Sequence, residues 1–375
     1  MLSPKDFYEA LTAAGVNLFC GVPDSLLKDI CAYVTANTPK RRNVITANEG
    51  SAIALAMGHY LATGEIGLVY MQNSGLGNTV NPVTSLADPA IYGVPMLLLV
   101  GWRGRPGEHD EPQHVHMGKV TLETLAAIGV PASVLPRDID AAKAALSSAL
   151  EQARQRRGPV ALVVEKGTFE AYSLKDPSPP ELTLTREQAI ERFAASLPAG
   201  AAVVSTTGMP SRELFEVRGR RGEPHDADFL VVGGMGHASQ IALGVALSRE
   251  DKPVYCLDGD GAVIMHMGGL ATIGELAPPR YKHVVLNNGA HDSVGGQPTA
   301  GFSVDICAVA RAAGYKSAVC VTTEAELDAA LAALRDAEGP ALVEVRVKKG
   351  SRKDLGRPTQ SPADLTLAFS AYLRG

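Results

Sequence analysis

The chain has 375 residues, enough for about two domains of ordinary size, and its 46% hydrophobic and 20% charged residues are typical of a globular protein. The formal net charge of −5 argues against a nucleic-acid-binding surface, and the longest apolar run, at 94–101, is too short to span a membrane. The N-terminus begins as an amphipathic helix rather than a signal peptide. The five cysteines form no CxxC pair, and Cys20, Cys31, Cys256 and Cys320 lie in apolar surroundings. Buried thiols in a reducing cytoplasm are therefore expected.

Strands rich in Val, Leu and Ile alternate with Ala-rich helical segments along the whole chain. This alternation is typical of an α/β fold in which helices cover both faces of a parallel sheet. We predict strands in the first half at 18–22, 43–47, 67–72, 95–101, 132–136 and 160–167. We predict strands in the second half at 201–206, 228–234, 253–261, 283–288, 317–321 and 341–350.

The two halves end alike, which predicts two domains of one architecture. Segments 138–167 and 323–350 each contain an acidic start, an Ala/Leu helix, a Gly-Pro turn and a final strand. The join is predicted at 173–185, where prolines and polar residues interrupt the pattern. The expected domains are therefore 1–172 and 186–375, and Thr185 with Gln188 should form a capping box for the next helix.

Polar residues follow two strands of the second half. Asp260 follows one strand, and Asn287 and Asn288 follow the next, with a helix predicted between them at 262–276. Ligands of open α/β sheets bind at the carboxyl ends of strands, and carboxylate and carbonyl oxygens suit Mg²⁺. The alternative is structural: the aspartate caps a helix and the asparagines form turns.

The spacing of this unit resembles a known cofactor signature. "GDG" at 259–261, then "NN" at 287–288, is similar to the thiamine diphosphate fingerprint of the decarboxylase and acetolactate-synthase superfamily. The resemblance implies that Asp260, Asn288 and the main chain of Ala290 hold Mg²⁺, which in turn holds the diphosphate. It also implies diphosphate contacts from Gly259, Gly261 and Ala262.

The same resemblance assigns an activating acid to the first domain. In that superfamily a glutamate faces the aminopyrimidine of the cofactor and promotes removal of the thiazolium C2 proton. Glu49 lies in the matching setting, after a predicted strand and before an Ala-rich helix. The alternative is that Glu49 is an ordinary acid in the first turn of a helix.

Two further segments of the second half match the superfamily. "GGMGHA" at 233–238 lacks the GxGxxG spacing of a dinucleotide loop, which disfavours a nicotinamide dehydrogenase. By resemblance, the Gly233 carbonyl meets the aminopyrimidine and Met235 supports the bent cofactor, although Met235 could equally be core filler. A second diphosphate contact is expected after a strand, from Thr206, Thr207 and Gly208.

The short chain leaves no room for the central third domain of pyruvate decarboxylases. In this it resembles the two-domain phosphonopyruvate and sulfopyruvate decarboxylases, through segments at 21–29, 73–86, 101–118, 287–301 and 353–362. Phosphonopyruvate is the favoured substrate, because sulfopyruvate decarboxylases are often split into two subunits. The products would be phosphonoacetaldehyde and CO₂. A carboligase and a non-catalytic thiamine diphosphate sensor are the rival functions.

A doubly charged phosphonate requires hydrogen-bond donors and positive charge. Arg103 and Arg105 follow a predicted strand at the ligand-facing edge of the sheet, although they could be solvated loop residues. The other candidates for substrate or cofactor contact are Ser25, Lys28, Asn73, His114, His116 and Lys119.

Proton transfer is assigned only by resemblance. Asp24 matches an active-site aspartate of the wider superfamily. An extended segment would direct His114 and His116 to opposite sides, so only one would face the cofactor, and His114 is favoured as the catalytic histidine. The glutamate that pyruvate decarboxylases place six residues after the metal-binding asparagine falls on Val294 here. His291 and Asp292 are possible substitutes.

In this family the cofactor lies between the first domain of one subunit and the second domain of another. The resemblance therefore implies self-association, with each active site at a subunit interface. The segment 103–114 is charged and contains glycine and proline, so it is the expected lid.

Overall fold

The computed structural model describes residues 1–174, 179 and 181–375. The chain divides into two compact units, one comprising Met1–Lys175 with Ser293–Gln297 and the other Asp176–Asp292 with Pro298–Gly375. Residues 175–178 and 180 of the predicted linker at 173–185 lie outside the described residues.

The first unit is built on a six-stranded sheet with the order β2-β1-β3-β4-β6-β5, in which every neighbouring pair is parallel. The strands are β1 Phe19–Gly21, β2 Asn43–Ile45, β3 Leu68–Gln72, β4 Met96–Gly101, β5 Ala132–Val134 and β6 Pro159–Val164. The helices are α1 Pro4–Ala13, α2 Lys28–Asn37, α3 Glu49–Thr63, α4 Leu76–Pro82, α5 Pro112–Lys119, α6 Thr121–Ala127 and α7 Ile139–Arg156. A 3₁₀ turn at Asn73–Gly75 precedes α4, and a π-helical turn at Val83–Ala87 follows it.

Helices bury both faces of this sheet. Side chains of β4 alternate between two apolar clusters: Leu97 and Leu99 belong to one, and Leu98 and Val100 to the other. Continuous apolar runs are therefore required in the central strands, which explains why the strands do not show polar alternation.

The second unit repeats the architecture, with the strand order β11-β12-β10-β9-β7-β8 and parallel pairing throughout. The strands are β7 Ala202–Ser205, β8 Asp228–Leu230, β9 Val254–Gly259, β10 Tyr281–Asn287, β11 Ser317–Val321 and β12 Ala341–Arg346. The helices are α8 Arg186–Ser196, α9 Met209–Arg220, α10 Ala238–Ser248, α11 Asp260–Met265, α12 Gly269–Leu276, α13 Ile306–Ala312, α14 Glu324–Asp336 and α15 Pro362–Arg374. A 3₁₀ turn lies at Asp292–Val294, and two apolar clusters again cover the two faces.

The predicted fold class is confirmed. All twelve predicted strands are present, and the capping box of Thr185 and Gln188 begins α8. Between β6 and β7 the described residues contain one helix, α8, and no strand, as expected for a chain without a central third domain. The exact domain limits at 172 and 186 stay a prediction.

The single helix predicted at 262–276 is wrong, because the structure has two short helices, α11 and α12, separated by turns at 266–268. Gly268 and Gly269 lie at the break, where glycine's low helix propensity weakens the helix. A Cβ on Gly269 would lie 2.6 Å from Nε2 of Gln240, so a larger residue there would require the Gln240 side chain to move.

The expectation of buried thiols holds for four cysteines and is wrong for Cys320, which is exposed. Cys320 lies on β11, the edge strand of the second sheet, where one face is only partly covered. Among the described residues, no helix combines the length and apolarity needed to cross a membrane.

Candidate active site

Glu49 is the first residue of α3 and is buried, with 5% of its surface exposed. Oε2 of Glu49 accepts a 2.7 Å hydrogen bond from Nδ2 of Asn78. Gly75 must be glycine, because a Cβ there would lie 2.3 Å from Oε1 of Glu49. Burial raises the pKa of Glu49, and the bond from Asn78 offsets this only in part. The carboxyl is therefore held in a fixed position as an acid that retains its proton more strongly than an exposed glutamate does.

Asp24 is the second buried carboxyl of the first unit, and its surface is fully covered. Oδ1 accepts 2.6 Å from Nε2 of Gln72, and Oδ2 accepts 2.9 Å from the Leu26 N–H. A Cβ on Gly101, at the end of β4, would lie 2.0 Å from Oδ2 of Asp24. Burial raises the pKa of Asp24 against the lowering effects of these hydrogen bonds and of the positive charge of Arg103.

The side chain of Asn73 is engaged within the first unit, and the cofactor contact expected of it stays a prediction. Its amide Nδ2 donates 2.8 Å to the Arg103 carbonyl and 2.9 Å to Oγ1 of Thr121, and its Oδ1 accepts 3.2 Å from the Arg103 N–H. These bonds use both donors of a residue with no exposed surface. Asn73 therefore fixes the backbone at Arg103. Sequence reasoning missed this because Thr121 and Arg103 lie far along the chain.

Arg103 is held rather than solvated. Its guanidinium forms two hydrogen bonds to Asp110, the longer at 2.7 Å, and Nη1 donates 2.6 Å to Oγ of Ser25. Three of its five N–H groups are used in this way, which leaves donors for an anionic substrate.

The other predicted substrate contacts are less buried. Arg105 pairs with Glu165 at 2.9 Å and lies over the ring of Trp102. The half-exposed Lys28 contacts Asp29 at 3.1 Å. The ion pairs of Arg103 and Arg105 tether the predicted lid at 103–114, whose movement stays a prediction.

His114 and His116 lie on helix α5, not on the extended segment that was expected. His114 is buried and His116 is exposed. The exposed Lys119 ends the same helix. Nδ1 of His114 has no hydrogen-bond partner among the described residues. Burial lowers the pKa of His114 to about 4, so its imidazole is neutral at physiological pH.

In the second unit, Asp260 is buried, and its hydrogen-bond partners include no cationic side chain. It begins α11 with 2% of its surface exposed, and Oδ2 accepts a hydrogen bond from Oγ1 of Thr299. Burial raises the pKa of Asp260 to about 6, while the bonds from Thr299 and from the N–H groups of Asn288 and Gly261 lower it in part. All of these partners are neutral.

Asn288 is oriented by Asp292, which forms a partly buried ion pair with Arg186. Its Nδ2 donates 2.7 Å to Oδ2 of Asp292, and its Oδ1 accepts 3.0 Å from the Ala290 N–H. Oδ2 of Asp292 also accepts 2.9 Å from Arg186 and 2.8 Å from the Gly350 N–H. Asp292 is thus a fixed ion-pair partner, which argues against the proton-donor role considered for it.

Asn287, the first of the paired asparagines, is structural. Its Nδ2 donates to the Gly301 carbonyl and to Oε1 of Glu344, and its Oδ1 accepts from the Gly289 N–H. A Cβ on Gly301 would lie 2.4 Å from Oδ2 of Asp260 and 2.5 Å from Oδ1 of Asn287. The segment that carries Thr299 and Gly301 therefore closes tightly over the metal-site candidates. The glycines of its sequence, "GGQPTAG" at 295–301, are the signal from which this close approach could have been predicted.

Gly261 lies against Met235 and His291. A Cβ on Gly261 would be 3.1 Å from Cε of Met235 and 3.2 Å from Cε1 of His291. Both side chains are half-buried, as is Gly233. Burial lowers the pKa of His291 to about 4. Met235 is thus a neighbour of the "GDG" turn rather than a member of the apolar core.

The three residues at 206–208 form the turn between β7 and α9. Thr206 is buried and bonds to the Leu257 carbonyl, and Oγ1 of Thr207 donates 2.8 Å to the Val232 carbonyl. Gly208 has φ +96°, a conformation that favours glycine. Gly208 precedes α9 and offers no side-chain cap, which leaves the N–H groups of Met209 and Ser211 for an anion, whereas Pro210 has no N–H.

The donor set of the second unit fits Mg²⁺. The Asp260 carboxylate, the Asn288 amide oxygen and the Ala290 carbonyl are hard oxygen ligands. Asp260 lacks the positive partner that a buried carboxylate normally has, and a divalent cation would supply it.

Comparison with known proteins agrees with this geometry. The N-terminal TPP binding domain of thiamine pyrophosphate enzymes matches residues 4–125, and their C-terminal TPP binding domain matches residues 206–345. A phosphonopyruvate decarboxylase of Streptomyces viridochromogenes is 39% identical to this chain, over 100% of it and 95% of the relative. The chain belongs to the phosphonopyruvate decarboxylase family of thiamine pyrophosphate enzymes.

Two further relatives carry the names of the two activities under consideration. A phosphonopyruvate decarboxylase of Streptomyces hygroscopicus is 38% identical, over 99% of this chain and 94% of the relative. A sulfopyruvate decarboxylase of Methanosarcina acetivorans is 26% identical, over 97% of this chain and 96% of the relative. Because that sulfopyruvate enzyme aligns with nearly the whole chain, the continuity of the chain does not by itself separate the two activities.

Replacing Asp260 by Asn should stabilise the protein when metal and cofactor are absent. A group whose pKa is raised on folding, here from 3.8 to about 6, contributes most below pH 3.8 and loses that contribution as the pH rises through 6. At neutral pH the buried charge is unfavourable, and we expect a gain of roughly 1–3 kcal/mol in the free energy of unfolding of Asp260→Asn. Urea unfolding measures it, and the gain should shrink near pH 4.

Asp328→Asn is the matched control, because Asp328 is exposed and pairs with Arg192 at the surface. It should change the free energy of unfolding by less than about 0.5 kcal/mol. A loss of stability in metal-free Asp260→Asn at neutral pH would contradict the account of an uncompensated charge.

Proposed function

We propose that this chain is a carboxy-lyase that converts phosphonopyruvate to phosphonoacetaldehyde and CO₂, using thiamine diphosphate and Mg²⁺. The observation that carries the proposal is the 39% identity over the whole chain to a phosphonopyruvate decarboxylase. The buried carboxyls of Glu49 and Asp260 support it, since one suits activation of the cofactor and the other suits its metal.

The second unit would anchor the cofactor. Asp260, Asn288 and the Ala290 carbonyl hold Mg²⁺ in this proposal, and the amide of Asn288 is already oriented by Asp292. The turns at 206–208 and 259–262 would contact the diphosphate, and Gly233 and Met235 would contact the pyrimidine. The proposed diphosphate set is Thr206, Thr207, Gly208, Gly259, Gly261 and Ala262.

When bound, thiamine diphosphate supplies the electron sink for the carbanion that remains after CO₂ leaves. Glu49 holds a proton at a fixed point, because Asn78 and Gly75 determine the position of its carboxyl. Asp24 and neutral His114 are the proposed groups for later proton transfer. Loss of CO₂ and uptake of one proton at the former keto carbon balance the reaction.

The phosphonate would be bound by donors in the first unit. Arg103 and Ser25 are hydrogen-bonded to each other, so they already form a donor pair. Lys28, Arg105 and His116 are the remaining proposed contacts. The carboxylate of Asp110 partly neutralises the guanidinium of Arg103. A ligand would therefore bind to the remaining N–H groups of Arg103 and leave the ion pair with Asp110 intact.

We further propose a homo-oligomer in the cytoplasm, in which Glu49 of one copy and Asp260 of another act on the same cofactor. The arrangement is supported by the family to which the chain belongs. The cysteines support the location, since the structure contains five free thiols.

Sulfopyruvate decarboxylation is the second candidate, because the relative from Methanosarcina acetivorans spans almost the entire chain. Sulfonate and phosphonate differ by one charge at neutral pH, and the same donors could bind either. The higher identity to two phosphonopyruvate decarboxylases favours phosphonopyruvate.

A CO₂-release assay with phosphonopyruvate, sulfopyruvate and pyruvate tests the substrate. With thiamine diphosphate and Mg²⁺ present, phosphonopyruvate should have the highest kcat/KM, because the donors of the first unit bind a doubly charged group. Preference for sulfopyruvate would favour the second candidate. Formation of a ketol when an acceptor aldehyde is added, in place of phosphonoacetaldehyde, would favour a carboligase.

Glu49→Gln should lower kcat by at least about 100-fold, as expected for a group that transfers a proton, and leave most cofactor affinity intact. Retained binding together with lost turnover would also exclude a mere sensor. Glu123→Gln is the matched control, since Glu123 is an exposed acid in the first turn of α6, and it should be fully active. Near-normal turnover by Glu49→Gln would refute the assigned role.

Mixing two inactive variants tests the shared active site. In a mixed dimer of Glu49→Gln and Asp260→Asn chains, one site carries both defects and the other carries neither. Random reassociation should therefore restore roughly a quarter of the wild-type activity. If both residues of a site came from one chain, every site would carry a defect and no activity would return.

A further inference from the structure

Three potential metal ligands meet inside the core of the second unit, below the "GDG" turn. Cys256 and Asp258 lie two residues apart on β9 and so share one face of the sheet. His283 on β10 is the direct neighbour of Cys256 in the parallel register. Each of the three has at most 1% of its surface exposed.

The distance between the side chains of His283 and Asp258 is long for a hydrogen bond. One ligand atom from each residue lies within 4.8 Å of the other two. Nε2 of His283 is 3.4 Å from Oδ2 of Asp258, and neither atom has a hydrogen-bond partner among the described residues. Hydrogen bonds of this type are shorter, at about 2.7–3.2 Å. Two ligands bound to a tetrahedral zinc ion at about 2.0–2.1 Å are roughly 3.3 Å apart.

The other atoms of these side chains are already fixed. Nδ1 of His283 lies 3.1 Å from the hydroxyl of Tyr315, so an Nδ1–H donated to Tyr315 would leave the lone pair of Nε2 facing Asp258. The second oxygen of Asp258 accepts 2.9 Å from the Gly259 N–H. Metal-bound histidines and carboxylates typically have such outer hydrogen bonds, which hold the ligand in orientation.

Charge also favours a cation here. A buried carboxylate oxygen without a hydrogen-bond partner is unfavourable, and among the described residues Oδ2 of Asp258 has none, with the His283 imidazole 3.4 Å away. A divalent ion with one thiolate and one carboxylate would be neutral overall. Sulfur and imidazole ligands suit zinc rather than Mg²⁺, whereas the oxygens of Asp260, Asn288 and Ala290 suit Mg²⁺.

We propose that Cys256, Asp258 and His283 bind a zinc ion in the core of the second unit, at a site separate from the magnesium site at the sheet edge. Three protein ligands with a water molecule complete a tetrahedron. Since Asp258 also holds the Gly259 N–H, the ion would stiffen the turn that carries Asp260.

Metal analysis of the full-length protein tests the site. The protein is expressed with zinc in the medium, purified without chelators and desalted from excess Mg²⁺ and thiamine diphosphate. Inductively coupled plasma mass spectrometry should find one zinc per chain. Cys256→Ser and His283→Asn should lose it, whereas Cys307→Ser should retain it, because Cys307 is a buried thiol outside the cluster.

A spectroscopic arm covers the case in which the variants fail to fold. The wild-type protein, refolded with cobalt(II) in place of zinc, should show the visible bands of tetrahedral cobalt and a thiolate charge-transfer band. Folded wild-type protein with neither stoichiometric zinc nor the thiolate band would overturn the proposal. Equal zinc in wild-type, Cys256→Ser and His283→Asn protein would also overturn it, since the ion would then lie elsewhere.

Discussion

The arrangement of the second unit depends on one buried charge, the carboxylate of Asp260, which has only neutral partners. A buried ion without an opposite charge is unfavourable by several kcal/mol, yet the surrounding residues pack closely around this carboxylate and donate hydrogen bonds to it. Gly301 approaches so closely that any side chain would collide with the carboxylate, and Thr299 donates a hydrogen bond to it. Such a site is explained if a cation completes it.

Other buried carboxylates of the same unit show the contrast. Glu213 forms two hydrogen bonds with Arg186, and Asp228 forms two with Arg218. These ion pairs are complete within the fold and need no ligand. Glu213 and Asp228 are therefore structural acids paired with arginine. The hydrogen-bond partners of Asp260, and those of Glu49 in the first unit, are instead all neutral.

Much of this fold could be predicted from sequence, because central parallel strands must be apolar on both faces and therefore appear as continuous runs. The polar residues at the ends of β9 and β10 were visible for the same reason, since polarity resumes where the strand ends. Glu49 was identified by resemblance, and its burial against Asn78 and Gly75 gives that assignment a physical basis.

The rest depends on contacts between residues distant in sequence. Thr121 and Arg103 accept both hydrogen bonds of the Asn73 amide group, so this side chain fixes the backbone at Arg103, a contact that the local sequence does not reveal. Arg186 neutralises Asp292 across 106 positions, and local sequence gives no sign of that pairing. The break between α11 and α12 lies at Gly268 and Gly269, two residues of low helix propensity, and the apolar periodicity does not reveal it.

The most direct test of the buried-charge account is a crystal structure with thiamine diphosphate and Mn²⁺ in place of Mg²⁺. Anomalous scattering locates manganese independently of the rest of the structure. We expect one strong peak within about 2.0–2.3 Å of the Asp260 carboxylate, Oδ1 of Asn288 and the Ala290 carbonyl, bridged to the diphosphate. A bound cofactor whose metal lies away from Asp260, or whose diphosphate is held without metal, would contradict the account.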